Sequence, residues 1–384
     1  MAAITSFVCH DDHTFRSIVH GEFLGTDTDY NPYRWALIVC HFVAFLTFAV
    51  SSATGNMSQV DKLWSILPTI YAWLCVVDSR TQLMAILSTI WSLRLSYNFY
   101  RRGGYTWPPW QGEEDYRWEC LRRGVFGGWW SLLTNKYIWI LFNIFFISIY
   151  QNYLLLYIAS PSLIAWSVAM KGRHCQTGEG EVIAALNILD GIASAMFLTF
   201  LLLETMADNQ QAKFQNGQRV WKSSIGTNGS FANAIKAATS HTSPREYRDG
   251  FCKFNLWFDT HFGFVDLIVL AYTMHFSYLG QSRLFAIVRK PAYACEQGIW
   301  ISYYLFSVAA VHSTDGRLWN WSSGGFILLC LLFQGSGWLT EQISISKYPA
   351  YREYMKIVPL YLPNLSTIWN LIMGINRRDR GKIE

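Results

Sequence analysis

Residues Trp35–Ser52 read WALIVCHFVAFLTFAVSS, eighteen positions without one Asp, Glu, Lys or Arg. A helix needs about 20 mostly apolar residues to cross the hydrocarbon core of a bilayer, so this stretch reads as a spanning helix. Working outward, the same reading applies to Leu63–Val77, Leu83–Phe99, Tyr137–Ile158, Val182–Leu203, Cys295–Val311 and Gly324–Thr340. Two stretches are ambiguous. Leu163–Met170 follows Ser160-Pro161 and is too short to cross alone, so it reads as a continuation or re-entrant end of the fourth span. Phe262–Gly280 is long enough but carries Asp266 and His275 near its middle, which is costly in lipid unless they are paired.

Composition agrees with a membrane protein. The 384 residues are 52% hydrophobic and 15% charged, against roughly 25% charged in soluble domains. A chain this apolar cannot stay solvated, which excludes disorder, and no run of basic residues points to nucleic acid. The eight cysteines form no Cys-x-x-Cys pair and read as buried free thiols, and the nine histidines offer no metal constellation. Before Trp35 the acidic Asp11, Asp12, Glu22, Asp27 and Asp29 outnumber Arg16 and Arg34, so the basic flank of a cleaved leader is missing.

Basic residues decide the topology, because loops on the cytoplasmic side are enriched in them. With seven spans and neither ambiguous stretch crossing, 24 of the 31 Lys and Arg fall on one side and six on the other, with Arg94 inside a span. If Phe262–Gly280 crossed, ten of them would move to the outer side, so that stretch is expected in the interface or against the bundle. The expected fold is all-α, a polytopic transmembrane helical bundle of about seven spans, with the N-terminus outside and the C-terminus inside. It divides into an acidic extramembrane segment (1–34), five spans (35–215), an inner-side insertion with an interfacial apolar stretch (216–285), and two spans with a basic tail (286–384).

Polar residues at membrane depth are candidates for function. Here they gather toward the inner side: Asp61 in the first inner turn, and Arg94 and Arg102 at the inner end of the third span. Glu204, Asp208 and Gln211 lie at i, i+4 and i+7 on the fifth span, one helix face, and Arg289, Tyr293 and Glu296 repeat that spacing at the sixth. Glu341 closes the last span. Such a ring suits a site with its polar head toward the inner compartment and its apolar part in the bilayer. The competing reading for each residue is an interfacial anchor that snorkels to water.

Six ordered blocks carry a resemblance: NMSQVDKLWS (56–65), IWSLRLSYNFYRRGG (90–104), EEDYRW (113–118), ETMADNQQAKFQ (204–215), RKPAYACEQ (289–297) and TEQISISKYPAY (340–351). With them the chain resembles the uncharacterised branch of the steroid 5-alpha-reductase C-terminal superfamily. The resemblance implies NADPH bound at the cytosolic mouth and an apolar steroid or enoyl lipid entering from the bilayer. By position, Asp61, Arg94, Arg102, Glu204, Asp208, Gln211, Arg289, Tyr293, Glu296, Glu341 and Tyr348 would line or support the cofactor site. The implied reaction is NADPH-dependent reduction of a C=C bond.

One block departs from the family pattern, Arg-His-Pro-Asn-Tyr-Phe-Gly/Ala-Glu, at Lys290 and Ala292. Replacing Asn by Ala removes a donor and an acceptor. The Tyr–Glu proton donor of the steroid reductases has no convincing counterpart, which leaves Tyr97 and Tyr100 as weak catalytic candidates beside an interfacial-belt reading. Two functions follow. One is a reductase of a lipid or sterol double bond; the other is a non-catalytic, lipid-binding structural or accessory subunit of a larger membrane complex. Resemblance places the protein in the endoplasmic reticulum, with the mitochondrial inner membrane as the alternative.

Overall fold

A computed structural model describes residues 30–175, 186–224, 284–315, 318–347 and 351–365, and among them every regular element is helical. In chain order these are α1 (Pro32–Thr54), α2 (Gln59–Trp64), α3 (Leu67–Leu74), α4 (Ser79–Arg101), α5 (Tyr116–Arg122), a 3₁₀ stretch (Gly128–Thr134), and α6 (Lys136–Ile158), which is π-helical over Asn143–Tyr150. There follow α7 (Pro161–Cys175), α8 (Ile188–Ser224), α9 (Leu284–Ile287), α10 (Pro291–Asp315), α11 (Ser323–Lys347) and α12 (Tyr351–Ile357). Among the described residues, four segments are long and apolar enough to cross a bilayer: Pro32–Thr54, Lys136–Ile158, Ile188–Asn216 and Ser323–Ser346. The protein is a membrane protein.

These four contain the expected first and fourth spans and most or all of the fifth and seventh. Helices α4 and α10, with 23 and 25 residues, hold the expected third and sixth but are less apolar. The expected span Leu63–Val77 is broken at Ser65-Ile66, between α2 and α3. Pro68 stands at the start of α3, where its missing N–H is tolerated and an uninterrupted helix is not. The segment Phe262–Gly280 lies outside the described residues, as does 216–249 beyond Ser224.

The chain forms two compact units, one of Met1–Thr199 with Gln297–Gln334 and the other of Phe200–Glu296 with Gly335–Glu384. In the first, α1 turns mostly small and polar residues inward and large apolar ones outward. On α1 the buried positions include Ala36, Cys40, Ala44, Thr47 and Ser51, and the exposed ones Trp35, Ile38, Phe42 and Phe45. Lipid is as apolar as leucine, so helices there associate through close approach and interhelical hydrogen bonds. Accordingly Asn143 Nδ2 on α6 donates to Ser51 Oγ at 3.0 Å, and Asn152 Nδ2 to Thr47 Oγ1 at 3.4 Å. Gly325 meets α6 directly: a Cβ there would stand 2.3 Å from the carbonyl oxygen of Tyr157.

Deeper in this unit, Trp91, Phe197, Trp300, Tyr303 and Phe306 are fully buried, with Trp91 and Trp300 edge to face at 4.9 Å. The short α7 is buried from Pro161 to Ala169, and Ser162 Oγ lies 2.6 Å from Tyr303 OH. This accounts for a helix too short to cross.

At the start of α4 the Arg80 guanidinium grips Asp190 of α8 through two bonds, Nε–Oδ1 at 2.8 Å and Nη2–Oδ2 at 2.9 Å, with both side chains at most 2% exposed. Asn187 N–H also donates to Asp190 Oδ2 at 2.8 Å. Removing one member of such a buried pair leaves a bare charge and costs about 3–5 kcal/mol, whereas replacing both with apolar residues is often near neutral. Arg80→Met and Asp190→Leu should therefore each lower the thermal midpoint of the detergent-purified protein strongly. The double variant should recover most of the loss; additive losses would show that the pair does not act as a unit.

Candidate functional site

The turn after α1 and helix α2 form a platform built on a buried lysine. Lys62 is 7% exposed, and its ammonium donates to the carbonyls of Pro109 (2.8 Å) and Gln111 (2.7 Å) and to Gln59 Oε1 (3.1 Å). Three donors meet three acceptors, which fastens the loop after α4 to the turn after α1. Gln59 Nε2 to Trp110 O (2.9 Å), Asn56 Nδ2 to Gly112 O (3.1 Å) and Met57 N–H to Glu114 Oε1 (2.8 Å) continue the seam. Gly112 has φ +128°, and a Cβ there would lie 2.7 Å from Gly104 O, so the loop closes only with glycine. Burial pushes the Lys62 ammonium below the ordinary lysine range, against the pull of Asp61.

Asp61 sits on this platform and accepts from Trp118 Nε1 at 3.3 Å and from the Ser58 hydroxyl. Burial and the neighbouring Asp115 carboxylate hold its carboxyl above the usual range, with Arg117, Ser58 and Trp118 pulling the other way. Asp115 is half-buried, and although desolvation pushes its carboxyl up, Arg117, bonded to it at 2.8 and 2.9 Å, and nearby Arg102 bring it below the usual range. Asp61 and Arg102 thus meet around Asp115. Arg102 caps α4 and is exposed, whereas Arg94 is half-buried within the helix, seven residues or about 10 Å before Arg101. Tyr97 and Tyr100 are each 64% exposed, and the Arg101 guanidinium lies 6.0 Å from the Tyr97 ring. Both rings face outward, away from the buried residues of α4.

The second unit gathers a different cluster. Arg289 Nε donates to Glu341 Oε1 at 2.6 Å, both side chains being under 10% exposed. Its Nη1 donates to Met355 O at 3.0 Å and to Val358 O, the carbonyls that end α12 and would otherwise be orphaned. The backbone N–H groups of Arg289 and Lys290 donate to Pro359 O and Leu360 O at 2.8 and 3.1 Å. Tyr351 completes the core, hydrogen-bonded to both Arg289 and Glu341. Burial, then the Glu341 charge, push the Tyr351 phenol well above its ordinary value. It stays protonated, a donor to the carboxylate. Tyr361 is buried beside Tyr293, Glu341 and Arg289, and is raised first by burial.

Arg289, Tyr293 and Glu341 therefore come together. Glu204, Asp208 and Glu296 are buried in the same unit, Gln211 is half-buried, and Tyr348 lies outside the described residues. Asp61, Arg94 and Arg102 belong to the first unit. Lys62, Asp115, Tyr351 and Tyr361 are additions from the structure. Lys62, Asp115 and Tyr351 stand inside three of the blocks that carry the family resemblance, which was the available signal, although nothing local marked Lys62 as buried.

The Asp61 shift gives a pH test. A carboxyl raised above its unfolded value of 3.8 is best tolerated when protonated, so its contribution is full below that pH and is lost as pH rises through the folded value. Asp61→Asn keeps the acceptor for Trp118 and removes the charge. Its thermal midpoint in detergent should exceed that of the wild type by roughly 1–3 °C near neutrality. That gain should vanish near pH ~4. A loss at neutral pH would show that the ionised carboxylate is needed.

Comparison with known proteins places the chain. Residues 47–241 and 275–358 match the family described as "Protein of unknown function (DUF1295)", which takes in every described candidate residue above except Tyr361. An uncharacterised protein of Schizosaccharomyces pombe is 31% identical over 351 residues, 89% of this chain and 83% of that one. No solved structure matches. The ordered match over most of the length, on a membrane protein with this arrangement of buried charge, makes the chain a member of the DUF1295 family.

Proposed function

We propose that this protein is a lipid-binding membrane protein with a reductase-type bundle that works without the nicotinamide dinucleotide, as a structural or accessory subunit of a membrane assembly. The observation that carries the reading is that Arg289 is buried and already engaged by its own chain. NADPH is polyanionic, and phosphate groups are best held by free Arg forks, lysines or helix N-termini. At the signature block Arg289 is bound to Glu341 and to the end of α12, Ala292 has no hydrogen-bonding side chain, and four carboxylates, Glu204, Asp208, Glu296 and Glu341, are buried in the same unit. These residues do not fit the phosphate groups of the cofactor. The exposed apolar faces of the long helices are suited to membrane lipid.

A second reading, an NADPH-dependent reductase of a steroid or lipid C=C bond, is favoured by those same carboxylates. Acidic and amide side chains such as Glu204, Asp208 and Gln211 suit ribose hydroxyls and a carboxamide, groups that donate hydrogen bonds.

For the topology we adopt seven spans with the N-terminus outside and the C-terminus inside. Besides the four apolar helices, α4 and α10 measure about 34–37 Å, which is enough to cross, and the second span would be the broken pair α2 and α3. Resemblance points to the endoplasmic reticulum, and an organellar inner membrane is the alternative.

Titration of the detergent-purified protein with NADPH at low salt, read by fluorescence of the reduced nicotinamide, separates the two functions. No binding up to about 1 mM is expected, either for the wild type or for Lys290→His with Ala292→Asn. Solvent extraction and mass spectrometry should recover lipid in stoichiometric amount. Micromolar NADPH binding would sink the first reading and leave the reductase standing.

A further inference from the structure

Helix α11 is long and apolar enough to cross the bilayer, yet it carries an amide on its outer face. Gln334 is exposed, and among the described residues its side chain has no hydrogen-bond partner. It lies 11 residues after Ser323 and 13 before Lys347, about 17 and 20 Å from the two helix ends, so with α11 crossing it stands near the middle of the hydrocarbon. A carboxamide there has two donors and an acceptor with no water to serve them. Long Lys and Arg side chains reach the interface from near helix ends, but the shorter glutamine does not reach it from mid-helix.

The rest of that face is apolar and regularly spaced. Ile327, Leu331 and Trp338 are exposed, and with Gln334 they follow one another at intervals of four, three and four residues. At about 100° per residue these positions fall within about 60° of one another, one stripe along the helix, whereas Gly325 and Leu329 are turned inward and buried. Such spacing is that of the seam between two helices that wind about each other. A Cβ built on the adjacent Gly335 meets nothing within 4 Å, so the surface beside the amide is open.

Depth limits what can meet the amide. The hydroxyl and carbonyl groups of lipids lie at the headgroups, and at mid-bilayer lipid offers hydrocarbon alone. The partner is therefore protein. The apolar residues of the stripe gain little by leaving lipid, which leaves the amide to decide what that partner is. A second copy of the chain brings the same group to the same depth. Around a twofold axis along the bilayer normal, each position on the seam meets its own counterpart. A carboxamide is complementary to itself, because each can donate an N–H to the other's carbonyl oxygen. One amide in an otherwise apolar seam is also a device by which paired helices fix their register and copy number.

We propose that α11 pairs with α11 of a second copy through Gln334, which makes the protein a homodimer in the membrane. The proposal does not rest on how the Arg289 cluster is read.

Full-length protein carrying a donor or an acceptor dye on a C-terminal tag is reconstituted into phosphatidylcholine vesicles over a range of protein-to-lipid ratios, and energy transfer between copies is measured. Transfer should exceed that of copies distributed at random. Gln334→Leu should need about tenfold higher protein density for half-maximal transfer, as expected for the loss of two hydrogen bonds in lipid. Gln334→Asn keeps the amide and should stay closer to the wild type, while Gly335→Leu, which fills the open surface beside the seam, should weaken transfer. The thermal midpoint of Gln334→Leu as a monomer in detergent should be no lower than that of the wild type, which separates lost pairing from unfolding. Transfer at the random level, or equal transfer in Gln334→Leu and the wild type, would overturn the proposal. So would a lowered monomer midpoint for Gln334→Leu, which would show that the amide is bonded within its own chain.

Discussion

A polar group carried into hydrocarbon has no water to fall back on, and an unsatisfied one costs several kcal/mol. This constraint shapes the described structure more than apolar burial does, because leucine gains nothing by leaving lipid for protein. Asn143, Asn152, Ser51 and Thr47 pair between α1 and α6, and Arg80 and Asp190 neutralise each other where α4 and α8 begin. Many large apolar side chains, by contrast, are left on the outside, as Trp35, Phe42 and Phe45 are on α1. The helices are held by what they could not leave unpaired.

The same constraint decides how Arg289 is used. A guanidinium has five donors in a fixed fork, and three described bonds go to Glu341, Met355 O and Val358 O. The signature block is thereby joined to the chain that follows α11, with Tyr351 supporting the ion pair. Arg289 is in this way a capping residue for α12. Lys62 repeats the device in the first unit, with an ammonium in place of a guanidinium and an irregular loop in place of a helix end.

Much of this was legible in the sequence. Trp35–Ser52 and Tyr137–Ile158 read as helices because their apolar runs are long and uninterrupted, and they are helices. Leu63–Val77 has the same apolar character, but Pro68 outweighs it, and the run breaks before that residue. Arg289 and Glu341 could be named because charges at helix ends stand out, but that they meet each other is a matter of two segments 52 residues apart. Arg80 stood between two expected spans and Asp190 inside one, and nothing linked them, since neither spacing nor composition brings residues 110 positions apart together. Lys62 was invisible for a related reason: its partners are main-chain carbonyls, which every residue has.

The π-helical stretch Asn143–Tyr150 gives α6 a tolerance in chain length. Phe145 and Tyr153, both exposed on α6, are eight positions apart, which in an ordinary α-helix would turn them about 80° away from each other. Taking out one residue between them and restoring ordinary winding would leave seven positions and bring them back within about 20°. The wider winding thus absorbs one residue without turning the outward face. A relative one residue shorter here would present the same face to the membrane on an ordinary α-helix.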